Sequence, residues 1–195
     1  MIARRLLAAL AALSVLASAG IAVADAGLAR DPDDTPGRLD VRQIRHGHGH
    51  RMGLIRHRVA MQGEWGTRLL RRKGAGEIYL LFSTRGNDCA EQRVRIVKRE
   101  GKLRAATQAF DPVGCGPNDD SGGQSNFVRL RADIDRRRGR DIIVTFDADR
   151  LKKDLDDYTW SVMTTLESRR CNDSCIDYAP DEAEGVRGVL LHDLR

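Results

Sequence analysis

Beyond residue 24 the 195-residue chain has no apolar run long enough to span a bilayer. It also lacks the motifs of the common catalytic machineries: there is no GxSxG, HExxH, P-loop or GxGxxG. Aromatic residues are only 5% of the chain, too few for a base-stacking platform, so nucleic acid is not an expected partner. Five prolines among 195 residues exclude proline-rich and collagen-like architectures. Lysine and glutamate are scarce beside arginine and aspartate. Aspartate favours turns over helix interiors, which points away from an all-helical fold.

What is present begins with an address. Arg4 and Arg5 precede an alanine-rich apolar stretch, and Ala22-Val23-Ala24 supplies the small-x-small pattern that signal peptidase requires. Residues 1–24 are therefore expected to be a secretory signal peptide, with no stable membrane insertion after cleavage. The formal charge of +5 becomes +3 once Arg4 and Arg5 are gone, so net charge alone is a weak argument for an anionic partner. Residues 25–37, interrupted by Pro32 and Pro36, read as an extended lead-in to one domain over 38–195.

Four cysteines in an exported chain imply two disulfides. Three pairings are possible. The short Cys171-to-Cys175 spacing favours that pair and leaves Cys89 with Cys115. A four-thiolate zinc site usually shows two close CxxC pairs, whereas only one close pair occurs here, and it is CxxxC.

Most of the chain reads as strand. Val128, Leu130, Ala132 and Ile134 alternate with charged residues, as a half-buried strand requires. Residues 91–99 and 102–110 form a hairpin about Gly101. Short helices are expected only at 66–72 and 149–155. About nine strands joined by polar turns predict an all-β protein, a single antiparallel β-sandwich of jelly-roll or immunoglobulin-like topology.

Several patches carry recognisable chemistry. His46, His48 and His50 share one side of an extended segment, with His57 close behind, and grouped imidazoles can bind a transition metal. The flanking Arg45, Arg51, Arg56 and Arg58 oppose a cation there, and the glycines suit a solvated loop or strand edge. Aspartates cluster at both ends of the domain. In a sandwich whose terminal strands are neighbours, Asp34, Asp40 and Asp177 can meet and form a calcium site. No cofactor is required by any motif; structural calcium is the one ion the pattern suggests. Trp65 and Tyr79 are the aromatics nominated to touch a ligand.

The run Asp34-Thr-Pro-Gly-Arg-Leu-Asp-Val41, a histidine-bearing strand pair leading to Trp65, Tyr158-x-Trp160, Cys171-x3-Cys175 and Asp177-Tyr-Ala-Pro180 together resemble a group of secreted actinobacterial proteins. The resemblance implies a secreted β-sandwich and no catalytic residues. The expected function is a secreted, non-enzymatic binding module, with cell-wall or extracellular polysaccharide as the partner class. The alternative is an extracellular polymer hydrolase that uses a carboxylate pair which the spacing does not identify.

Overall fold

The computed structural model describes residues 27–48, 53–71, 76–83, 90–109, 126–151, 157–171, 173–181 and 186–189. The chain opens with β1 (Leu28–Arg30), β2 (Val41–His48) and β3 (Leu54–Met61). A meander follows: β4 (Gly76–Ser83), β5 (Gln92–Arg99) and β6 (Lys102–Ala109). Then come β7 (Val128–Leu130), β8 (Ala132–Arg137) and β9 (Asp141–Asp147). The last three are the long β10 (Asp157–Ser168), β11 (Asp173–Ala179) and β12 (Val186–Val189).

These strands make two antiparallel sheets, β1-β2-β3-β9-β8 and β11-β10-β4-β5-β6-β7, packed as a β-sandwich. β12 continues the edge that β11 occupies, because both pair with the side of β10 opposite β4. The all-β sandwich expectation holds, with twelve strands among the described residues rather than nine. Two strands are additions, β1 within the expected lead-in and β11 after Cys171. The third comes from a division: the alternating stretch at 128–135 is not one strand. β7 pairs with β6 in the larger sheet and β8 pairs with β9 in the smaller, so the chain changes sheets at Arg131. Val128 is consequently exposed, while Leu130 enters the core. Both expected helices are short 3-10 turns among the described residues, Thr67–Leu70 and Ala148–Leu151.

Period-two alternation builds the interior. Ile55, His57 and Val59 of β3 lie opposite Phe146, Val144 and Ile142 of β9. Ile78, Leu80 and Phe82 of β4, with Tyr158, Trp160 and Val162 of β10, face them from the other sheet. A fully buried side chain of this size contributes roughly 1.5–3 kcal/mol through surface removed from water. At the β5–β6 hairpin Glu100 and Gly101 have φ of 50° and 78°, the left-handed pair that a two-residue turn demands.

Between β1 and β2 the chain leaves the smaller sheet and lies along the larger one. Thr164 Oγ1 donates to the Leu39 carbonyl at 2.6 Å. A Cβ at Gly76 would stand 2.7 Å from Leu39 Cδ1, so only glycine lets this arm lie so close to β4. The arm's aspartates are thereby carried to the edge of the sandwich where β11 packs against β2.

Candidate functional site

Four aspartates from the two ends of the domain converge at that edge. Asp31, Asp34 and Asp40 come from the arm. Asp177 comes from the inward face of β11, opposite Thr164. One carboxylate oxygen from each lies within 4.8 Å of all the others. Asp177 Oδ2 accepts from the Val41 backbone N–H at 2.7 Å. Thr35 Oγ1 lies 3.3 Å from Asp34 Oδ1 and 3.4 Å from Asp177 Oδ1.

The remaining polar capacity is not met by protein. Asp31 is 7% exposed and Asp40 is 2% exposed. Neither oxygen of Asp31 has a hydrogen-bond partner, nor does Asp40 Oδ1. Burial, then the charges of Asp177, Asp181 and Asp34, push the Asp31 carboxyl up to about 7, and the Asp181 backbone amide opposes this without reaching hydrogen-bonding geometry. Asp40 is likewise pushed up to about 7, first by burial and then by Asp33 and Asp177. Asp177 is raised by burial, against the hydrogen bond from Val41. None of these influences is a cation, so the pocket carries concentrated negative charge without a countercharge from the described residues. The three aspartates expected to meet from sequence do meet. Asp31, from the same front group of aspartates, joins them as a fourth.

The histidines go elsewhere. His46 and His57 face each other directly across β2 and β3, on the inner side of the sheet. His57 is fully buried against Phe82, Phe146 and Trp160. The Tyr158 hydroxyl lies between the two imidazoles, 3.0 Å from His57 Nε2 and 3.1 Å from His46 Nδ1. The protonation that leaves no N–H stranded has His57 Nε2–H donate to Tyr158, whose hydroxyl donates to His46 Nδ1. Only a bare lone pair on His57 Nδ1 is then buried unmet. Burial, with a smaller contribution from His46, drives the His57 imidazole well below 6.5 and keeps it neutral. This corrects the reading of the histidine run as a solvated loop or strand edge: two of its members are core. His48 ends β2, and His50 lies outside the described residues.

The nominated aromatics are also structural. Trp65 is buried, its indole N–H donating to the Arg140 carbonyl at 2.9 Å and its ring covered by the Arg136 guanidinium at 4.7 Å. Tyr79 lies under Arg93 and Arg95, and its hydroxyl donates to Glu77, with burial first and Glu77 next pushing it up to about 12. Neither ring is open to a sugar. Among the described residues the half-exposed aromatic side chain is Tyr178, on the outward face of β11. Its alternation with the inward Cys175, Asp177 and Ala179 was the available signal. Cys171 and Cys175 are joined in a disulfide, as their spacing suggested. Cys89 and Cys115 lie outside the described residues.

A second charged feature occupies the outer face of the smaller sheet. Arg45 of β2, Arg56 and Arg58 of β3, and Arg137 and Arg138 at the end of β8 border a concavity of about 470 Å³. Its one carboxylate, Asp141, is tied to Arg58. Arg45 stands directly across from Arg58 in the strand register. No protein family, curated protein or solved structure matches the chain.

Proposed function

We propose that the protein is an exported, non-enzymatic binding module for an anionic polysaccharide of the cell wall or extracellular space, held on the outer arginine face of the smaller sheet. The observation that carries this reading is the gathering of five arginines, from β2, β3, β8 and the turn after it, around one concavity lined by a single carboxylate. Guanidinium forks match carboxylate and phosphate geometry in a bidentate way, and a charged polymer can occupy several at once. The export half of the reading rests on Arg4, Arg5 and the Ala22-Val23-Ala24 cleavage pattern. The hydrolase alternative would need a carboxylate pair at the floor of an open groove. Asp31 and Asp40, the acids with the most perturbed protonation, are too buried for a glycosidic bond to reach between them.

Co-sedimentation with phosphodiester-linked, uronate-bearing and neutral polysaccharides tests the proposal. Binding to the charged polymers, absent for the neutral one and weakening as salt rises, is the expected result. The pair Arg56→Ala and Arg138→Ala should weaken it by about tenfold or more, since each arginine–anion contact contributes on the order of 1 kcal/mol. Equal binding to neutral and charged polymers, or turnover of any of them, would overturn it.

A further inference from the structure

We infer that Asp31, Asp34, Asp40 and Asp177 form a calcium site that ties the N-terminal arm to β11 and closes the edge of the sandwich. The inference involves none of the arginine-face residues and stands apart from the proposed ligand. A buried carboxylate oxygen without a partner is costly, and the fold holds Asp31, with neither oxygen met, beside Asp40, with one oxygen unmet. Asp31 and Asp40 are each more than nine-tenths buried and turned into the cluster rather than out to water. Carboxylates from opposite ends of a domain repel one another, yet the arm is held down here by Gly76, Thr164 and the Val41-to-Asp177 hydrogen bond. A bound cation turns that repulsion into the cross-link that the packing already anticipates.

The size of the cluster selects the ion. Calcium takes oxygens at about 2.3–2.6 Å, so ligands on opposite sides of it lie about 4.6–5.2 Å apart. Separations that nowhere exceed 4.8 Å are compatible with that sphere. Magnesium, at about 2.0–2.1 Å, would require the set to contract to about 4.2 Å. An all-oxygen donor set disfavours zinc, which prefers nitrogen and sulfur. Asp34 is on the exposed side and leaves room for water ligands to complete the six to eight oxygens calcium takes. Asp33 and Asp181 add negative potential around the site.

The test is titration of the EDTA-treated, dialysed protein with CaCl₂ and, separately, MgCl₂ at pH 7.5, read by calorimetry and thermal unfolding. Calcium should bind with Kd on the order of 10⁻⁴ M, the range of extracellular modules, and raise the Tm by about 5 °C or more at 5 mM. Magnesium should give less than about half that shift. Asp40→Asn should weaken calcium binding at least about tenfold while leaving the metal-free Tm equal to the parent's or higher, because a repelling charge is gone. Should Asp40→Asn fail to fold, Asp34→Asn, on the exposed side, should still weaken calcium binding several-fold. No heat and no shift up to 10 mM calcium would overturn the site. So would an equal response to both ions, or undiminished calcium binding in the folded variants.

Discussion

Two polar clusters lie between the same pair of sheets, and they are built on opposite terms. The His46–Tyr158–His57 chain is neutral and its groups hydrogen-bond one another; aromatic rings enclose it. The Asp31–Asp34–Asp40–Asp177 group is charged, mutually repelling and left with unmet oxygens. The first leaves only an uncharged lone pair on His57 Nδ1 unmet and acts as a piece of the core. The second is incomplete as protein alone, which is the mark of a site. Burial of a polar residue is therefore not itself a functional signal; what separates the two regions is whether the partners are already there.

The sharpest way to break this contrast is to remove one member of each. His57→Ala deletes a ring packed against Phe82, Phe146 and Trp160 and strands the Tyr158 hydroxyl. It should cost about 3–5 kcal/mol in denaturant titration, the range for a large aromatic removed from a core. Asp40→Asn should cost nothing or stabilise when calcium is absent. If both variants lose stability by similar amounts in EDTA, the two clusters are the same kind of object and the contrast fails.

How much of this was legible in the sequence depends on which contacts decide each feature. Strand β9 is legible in the sequence because Ile142, Val144 and Phe146 alternate locally. The meeting of Asp34, Asp40 and Asp177 followed from neighbouring terminal strands. The break at Arg131 was not visible, because alternation continues unchanged through it while the pairing partner switches from β6 to β9. That is a long-range choice with no local trace. His57 was misplaced although a signal existed: it shares its period-two face with Ile55 and Val59, and the glycines of the preceding run obscured this. β11 was missed because its outward face carries Ile176 and Tyr178, which hides the usual polar alternation.

A smaller loss is expected from the hydroxyl alone. Tyr158→Phe keeps the ring and removes the group that both imidazoles share. The cost should be about 1–2 kcal/mol, since buried hydrogen-bonding atoms lose their partner while packing survives. A neutral result would mean that the histidines find other partners and that the chain is packing rather than hydrogen bonding.

Acid should separate the clusters by sign. The unfolded His57 imidazole takes up a proton near 6.5, and the folded one only well below that. The unfolded chain thus binds more protons as the pH falls below 6.5, so the stability contributed by the neutral ring is present above that value and lost in acid. The slope from this one group approaches about 1.4 kcal/mol per pH unit. Denaturant titration of the parent and of His57→Phe between pH 7.5 and 5 isolates it by difference, since the aspartates are common to both. Parallel curves would show that His57 takes up its proton in the folded protein as it does in the unfolded chain.

The smallest effect belongs to an aspartate that has the guanidinium partner the four clustered aspartates lack. Asp135 Oδ2 accepts from Arg137 Nε at 2.9 Å, and both side chains are more than half exposed. Water solvates its charge and the guanidinium balances it, so neither burial nor repulsion makes a cation worth binding. Exposed pairs of this kind contribute about 0–1 kcal/mol and are screened by salt. Asp135→Asn should change stability by under about 0.5 kcal/mol, and by the same amount in EDTA and in calcium. A calcium-dependent difference at Asp135 as large as that at Asp40 would mean that the ion acts by screening acidic charge anywhere on the sandwich. The contrast between a complete and an incomplete cluster would then reduce to total charge.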